Sequence, residues 1–399
     1  MAKNTPTFTS KTAQLVQSLE TQIKGGMYQQ GEKLPSIRAL TSFYGLSKHT
    51  VVEALDRLMA KGLIDSRPGS GFFVTSAETS HPQSAQEPSP HDTIDAVWLM
   101  REQLRTVPDI LSVGDGFPDT AWFSQLDISK FFNKAFKTQS HTMLRYGHRL
   151  GFLPLRKLLV NHLHTLTIDS QPEQLLLTHG ANEALDLVIR AFITPQSTVL
   201  VDDPSYYPLL RKLALSHCRV IGIPRQADGP DIAALERALT QHRPSLFFTQ
   251  SVAHNPTGTD ISPAKIAQIQ ALTLVHDCLI VENDALSDLV GAQAPRLASG
   301  AGFKQSLYIS TFSKTITPAL RVGYVAGAED LINPLADLKA LININSSEYA
   351  ERLIYSVLNS AQYGRHLSHY RTQLQAACQR AQGVFHALGG HVFHPSEHS

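Results

Sequence analysis

The sequence predicts a protein in two parts: a small head of three helices and a β-hairpin, and a larger α/β body built on a mostly parallel sheet. Three observations carry this. Short apolar runs that end in polar motifs recur between residues 174 and 310, with helical spacing between them, the pattern of strands buried on both faces. Residues 1–77 are basic, with nine Lys and Arg against five Asp and Glu, while the rest is slightly acidic and the net charge is +1. Residues 76–92, SAETSHPQSAQEPSPHD, hold no large apolar side chain and read as a flexible connector. The predicted division is therefore a head at 1–77, a linker at 78–95 and a body at 96–399.

Residues 9–24 place Leu15, Val16, Leu19 and Ile23 at helical spacing, and Gly25-Gly26 stops that helix. Ser36 and Ser47 are N-caps for two further helices, the second of which carries Val51, Ala54, Leu55 and Leu58 inward. Residues 63–66 and 71–74 read as two short strands with a hairpin tip between them. This order is that of a winged helix-turn-helix. The first turn of the third helix, Ser47, Lys48, His49 and Thr50, would meet base edges of double-stranded DNA. Arg38, Arg67 and Ser70 would meet phosphate or the minor groove. A protein-interaction module is the alternative for such a fold.

In the body, residues 174–178, 198–201, 246–249, 278–284 and 307–310 read as strands, and their carboxyl ends carry the polar motifs, where open α/β sheets bind ligands. A turn at Gly180 leads straight into a helix, and such an N-terminus favours anions. Lys314 follows the last strand among the hydroxyls of Ser310, Thr311 and Ser313, with Arg321 seven positions on. A lysine so placed can form a Schiff base with an aldehyde whose phosphate the hydroxyls and the planar guanidinium hold.

These residues carry two resemblances. Gly31-Glu32-Lys33-Leu34-Pro35-Ser36 with Arg38 and Leu40, followed by Gly45-Leu46-Ser47, Thr50-Val51, Ala54, Leu58 and Gly62-Leu63-Ile64, resembles the GntR-type DNA-binding domain. Val52 stands where some relatives have a second arginine. The segment Ser313-Lys314 through Pro318, Leu320-Arg321 and Gly323-Tyr324 resembles the Schiff-base segment of fold-type I aminotransferases. So, in the family's order, do Gly180-Ala181-Asn182, Asp203-Pro204-Ser205-Tyr206 and Asn255-Pro256-Thr257-Gly258.

The aminotransferase resemblance implies pyridoxal 5'-phosphate on Lys314, its phosphate held by Thr311, Ser313, Arg321 and the Gly180 turn. It implies Tyr206 stacked on the ring, Asn255 on the ring hydroxyl, and Tyr146 reaching the phosphate of a second subunit, hence a homodimer. Head, linker and body together resemble MocR-type transcriptional regulators, which implies an amine or amino-acid effector.

Two departures stand out. Asn283, in Glu282-Asn283-Asp284-Ala285-Leu286, occupies the position of the aspartate that pairs with the pyridine nitrogen, and Leu286 or Ala285 that of a tyrosine. An amide supplies no charge, so weakened transamination is expected. Asp284 would substitute only if the register slipped by one, and adjacent strand residues face opposite ways. The chain also stops at Ser399, short of the rest of the small subdomain and of an arginine for a substrate carboxylate.

Three readings follow: a regulator with a cofactor-binding sensor, an active aminotransferase with a DNA-binding head, and a cofactor-free DNA-binding dimer with a scaffold body. The N-terminus has no apolar stretch of a signal peptide and no run reaches membrane-spanning length, so a cytoplasmic protein is expected. Cys218, Cys278 and Cys378 are far apart and read as reduced thiols. His391, His394 and His398 cluster without a completing ligand, so no functional metal is expected.

Overall fold

The computed structural model describes residues 11–24, 27–29, 31–67, 70–75, 116, 118–136, 144–291, 294–300 and 303–390. Two compact units result, Met1–Glu87 and Pro88–Ser399. The linker and His391, His394 and His398 lie outside the described residues.

In the first unit, helices Lys11–Lys24, Ile37–Tyr44 and Lys48–Ala60 precede strands β1 (Ile64–Arg67) and β2 (Gly71–Val74). The strands pair antiparallel, with Ile64 opposite Val74. Ser36 and Ser47 cap their helices as expected: each hydroxyl accepts from the backbone N–H three residues on, at Ala39 and Thr50. Leu19, Leu40, Val51, Leu55 and Leu58 close a small core beneath Ile64.

The second unit is built on one sheet. Its strands are β3 (Leu175–Thr178), β4 (Thr198–Asp203), β5 (Arg219–Gln226), β6 (Gly229–Pro230), β7 (Leu246–Thr249), β8 (Leu279–Asp284), β9 (Ser306–Thr311) and β10 (Gly323–Ala326). Their order is β3-β10-β9-β8-β7-β4-β5-β6. Strands β5, β4, β7, β8 and β9 are parallel neighbours, and β10 runs antiparallel between β9 and β3. β5, β6 and β10 are not among the predicted strands. β5 shows its burial alternation only in its second half, and β10 is four residues drawn into the sheet by pairing with two strands distant in sequence.

Both sheet faces are covered, which explains the continuous apolar runs. Leu175, Leu177, Tyr308 and Tyr324 pack against helices Leu153–Thr165 and Glu348–Leu358. Leu176, Val201, Phe248, Val281 and Ile309 face the other way, against helices Ala181–Phe192 and Glu329–Asn343. Helix Ala361–Ala387, 27 residues long, is the last described element. Because β3, β4, β7, β8 and β9 point one way, Thr178, Asp203, Thr249, Asp284 and Thr311 finish on one edge, and Gly323 starts there.

Candidate functional site

Register brings three separate segments together at that edge. Gly323 lies opposite both Thr178 of β3 and Thr311 of β9. Arg321, two residues earlier, therefore sits between the turn after β3 and the loop after β9. Its Nη2 donates to the His179 carbonyl at 3.1 Å. Gly180 has φ 77°, and a Cβ built on it would come within 3.0 Å of that same nitrogen. Gly180 is the N-cap of helix Ala181–Phe192 and offers no side chain, so first-turn N–H groups are left for another acceptor. On the far side, Thr311 Oγ1 bonds Ser313 Oγ at 3.0 Å and donates to the Val322 carbonyl at 3.1 Å. Gly180, Arg321, Thr311 and Ser313 thus share one corner. Guanidinium, hydroxyls and helix N–H groups are the donor set that holds a phosphate.

Lys314 follows directly. It is half-buried, and its Nζ donates to the Gly116 carbonyl at 2.8 Å. Its backbone is anchored through Thr315: His366 Nε2 bonds the Thr315 carbonyl at 2.7 Å, and Tyr363 hydroxyl bonds Thr315 Oγ1 at 3.2 Å. The same Tyr363 hydroxyl donates to Asp288.

Beside this corner is a small cleft whose walls include Leu185, Asp202, Tyr206, Phe248, Val281 and Asn283. Burial and the neighbouring Tyr207 raise the Tyr206 phenol above its ordinary value, and the Arg321 charge opposes that rise. Asn283 shares the face of Val281, and its Oδ1 is buried without a partner. Asp284 turns to the opposite face. There it accepts from Arg296 Nε at 2.6 Å and Tyr308 hydroxyl at 2.8 Å, with the side chains of Asp284 and Arg296 fully buried. Asp284 is therefore engaged away from the cleft, as strand alternation requires.

Glu282 lies on the same hidden face and accepts from the N–H groups of Leu297 and Ala298 at 3.1 and 2.8 Å. Burial pushes its carboxyl from 4.5 up to about 7. A folded-state value above the unfolded one means that this group's contribution is fully present below pH 4.5 and is lost as pH rises through about 7. Urea unfolding at stepped pH should show this component of the slope in the native chain and its disappearance in Glu282→Gln. An unchanged slope in the variant would assign the pH dependence elsewhere.

The other predicted residues fall less centrally. Asn255 is exposed, its N–H donating to Gln250 Oε1 at 3.1 Å, and Gln250 lines the cleft. Asn182 is exposed and Ala181 half-buried in the first turn of their helix. Tyr146 is 77% exposed. The prediction overlooked Asp202, one residue before the quoted Asp203-Pro204-Ser205-Tyr206 segment, and Arg225, with which Asp202 forms a buried pair at 3.0 Å.

In the head, Lys48 and His49 are exposed on the third helix and Arg38 on the second. Ser47 and Thr50 are occupied with each other: their hydroxyls lie 2.8 Å apart and Ser47 also caps the Thr50 N–H at 3.1 Å. The Arg67 guanidinium rests 4.3 Å from the centroid of the Phe73 ring, and Ser70 is exposed at the hairpin tip. Among the described residues there is no cluster that could hold a metal and no helix long and apolar enough to cross a membrane.

Residues 109–398 match the family model described as aminotransferase class I and II, and residues 11–74 that of bacterial regulatory proteins, gntR family. The chain is 27% identical to the HTH-type transcriptional regulator YdcR of Escherichia coli (strain K12), over 93% of this chain and 80% of that protein. It is 28% identical to the HTH-type transcriptional regulator YdfD of Bacillus subtilis (strain 168), over 96% and 80%. A 2-aminoadipate transaminase of Thermus thermophilus is 28% identical over 73% of each chain. Among solved structures, LysN, the alpha-aminoadipate aminotransferase of the same organism complexed with N-(5'-phosphopyridoxyl)-L-leucine, superposes with a TM-score of 0.65 at 25% identity, covering 71% of this chain and 73% of that one.

Proposed function

Because the chain belongs to the class I and II aminotransferase family and carries a gntR-family head, we propose that it is a DNA-binding transcriptional regulator whose body holds pyridoxal 5'-phosphate and senses an amine or amino acid through it. The observation that carries the reading is the convergence of Gly180, Thr311, Ser313 and Arg321 at one sheet corner, next to half-buried Lys314. These residues fit the cofactor. Arg321, the two hydroxyls and the first-turn N–H groups would hold the phosphate, and Lys314 would bind the aldehyde. Tyr206 and the unpartnered Asn283 Oδ1 line the cleft that would take the ring. When bound, the cofactor supplies an aldehyde that condenses with amines and a ring that withdraws electrons. An amine that competes with Lys314 for that aldehyde would free the lysine, whose backbone is tied through Thr315 to helix Ala361–Ala387.

In the head, Lys48 and His49 would enter the major groove while Arg38 and Arg67 meet the backbone. The Phe73 ring presets Arg67 for that contact. A homodimer is supported by apolar surface on the body. Leu144 is 86% exposed and Leu341 83%, with Tyr146, Ile342 and Ile344 also outward. Asn345 and Glu348 crowd against Gly147, which brings these two stretches alongside each other.

The test uses the full chain incubated with pyridoxal phosphate. Expected are a near-visible absorption band, its loss on borohydride reduction with the added mass on Lys314, and sedimentation as a dimer. Addition of the matching amine should change affinity for DNA selected by the protein. Absence of the band and of the mass on Lys314 overturns the sensor reading. Catalytic turnover of an amino acid with an oxo acid would move the body to the aminotransferase reading.

A further inference from the structure

Helix Ala361–Ala387 is 27 residues long, and its buried residues are Tyr363, His366 and Tyr370. The Tyr363 hydroxyl donates to Asp288 and lies 3.2 Å from Thr315 Oγ1, and His366 Nε2 bonds the Thr315 carbonyl at 2.7 Å. Thr315 is the residue after Lys314. The rings of Tyr370 and His366 pack on the turn Thr120–Phe123. Trp122 and Phe123 lie 5.6 and 5.4 Å from Tyr370, and Phe123 lies 5.3 Å from His366. Gly116, whose carbonyl accepts from Lys314 Nζ, stands shortly before that turn. Lys314 is thus tied to one helix twice, by its backbone through Thr315 and by its side chain through Gly116 and the turn that follows.

Asp288 secures the first tie. Its Oδ2 takes the Tyr363 hydroxyl, with Thr315 Oγ1 3.5 Å away. Its Oδ1 lies 2.9 Å from His162 Nε2 on helix Leu153–Thr165, a contact of charge rather than an aligned hydrogen bond. Its carbonyl accepts from Arg371 Nη2 at 2.5 Å, and the Leu289 carbonyl accepts from Arg371 Nε at 3.1 Å. Burial works against the Asp288 charge, but His162 and the Tyr363 hydroxyl outweigh it and hold the carboxyl below its ordinary range. One buried, ionised side chain therefore joins helix Leu153–Thr165, the loop that carries Lys314 and helix Ala361–Ala387. Hydrogen bonds to a buried charge are the strong ones, so this loop and this helix are set to move as one body.

Resting on the cofactor reading above, we propose that helix Ala361–Ala387 is the output of the sensor, and that Asp288 is the positioning residue that couples it to Lys314. When the lysine nitrogen bonds an aldehyde carbon, two of its three hydrogens leave with the aldehyde oxygen as water. That step competes with the bond from Nζ to the Gly116 carbonyl and loosens the seat of the turn Thr120–Phe123 on the helix. An amine that takes the aldehyde returns those hydrogens to Lys314, and the turn and the helix seat again. Asp288 makes the backbone side of this coupling rigid, because Tyr363 and Thr315 meet at its carboxylate. Removing the Tyr363 or Thr315 hydroxyl leaves the lysine chemistry in place and disconnects the helix from it.

The experiment loads the full chain with pyridoxal phosphate, confirms the bond by borohydride mass on Lys314, and then adds hydroxylamine as the probe amine. The hydroxylamine nitrogen takes the aldehyde carbon, its two N-bound hydrogens pass to the lysine nitrogen, and the bond from carbon to lysine breaks. Hydrogen exchange and Trp122 emission are read before and after. In the native protein, amides of residues 363–371 should exchange about tenfold more slowly after release, the change that one buried hydrogen bond supports. Tyr363→Phe and Thr315→Val should load and release equally well, yet lose that response, and Thr315→Ser, which keeps the hydroxyl, should retain it. Unchanged exchange in native protein whose lysine has been released overturns the proposal, as does a native response in Tyr363→Phe. If Tyr363→Phe does not fold, Thr315→Val against Thr315→Ser decides: equal responses refute the coupling. Native protein that takes up no cofactor overturns the cofactor reading as well, whereas loading and release with a silent helix overturn this proposal alone.

Discussion

Gly323→Val should leave the body unable to fold, and Gly323→Ala should cost it about 3 kcal/mol or more, at the upper end for an overpacked site. The reason is where the added atom would go. A Cβ at this position would lie 2.7 Å from Gly180 Cα and 2.7 Å from the Ser310 carbonyl oxygen. Both are main-chain atoms of neighbouring segments, so no side-chain rotation relieves the clash. Gly323 is also the residue paired with Thr178 and Thr311, so relief by backbone movement must part β10 from one of its neighbours. The same movement would pull Arg321 from the His179 carbonyl and open the corner it shares with Gly180 and Thr311. Urea unfolding followed through Trp122, which packs edge-on to Tyr370, reads the first effect, and cofactor titration of any folded fraction reads the second. A Gly323→Ala protein within about 1 kcal/mol of native would contradict this packing account.

Arg296→Ala should destabilise the body by about 3–5 kcal/mol, the range for breaking one side of a buried ion pair. Both side chains are inaccessible, and Asp284 has no water to turn to. Arg296 also donates to the Gly291 and Ala294 carbonyls, at 3.1 and 2.9 Å, so its loss strands acceptors besides the carboxylate. Tyr308 cannot replace it: its hydroxyl already donates to Asp284, and burial with that carboxylate drives its phenol well above the ordinary range. Because a buried pair costs desolvation to form, the double variant Arg296→Met with Asp284→Leu should recover much of the loss. A denaturation midpoint unchanged in Arg296→Ala, or a double variant no better than the single one, would argue that the pair is not what secures this segment.

Much of the fold was legible because its signals are local. Ser36 and Ser47 announce their helices by capping them, and Leu175-Leu176-Leu177 can only be a strand buried on both faces. That Gly180, Thr311 and Arg321 would come together was legible as a set of residues, since each stands at or beside an element end, with Ser313 two residues past Thr311. What stayed hidden depends on pairing across the chain. β10 is a strand because of β3 and β9, and its own four residues carry little preference. The Asp202–Arg225 pair joins adjacent strands through a register that no short motif records. Ser47 and Thr50 were read as DNA-facing, yet their hydroxyls are partly spent on the helix end, which shifts the weight of that prediction to Lys48 and His49.

The placement of β10 has a consequence for synthesis. β3 has β10 as its sheet neighbour, and β10 begins at Gly323. While the ribosome works from Thr178 to Gly323, the four residues of β3 lack the one strand that pairs with them among the described residues. At about 5–20 residues per second this wait lasts roughly 7–30 s. During it, helix Leu153–Thr165 shields one face of β3 and helix Ala181–Phe192 the other, but the backbone edge stays open. Nascent chains stalled before residue 323 should therefore be the form most prone to edge pairing with one another and most in need of a chaperone.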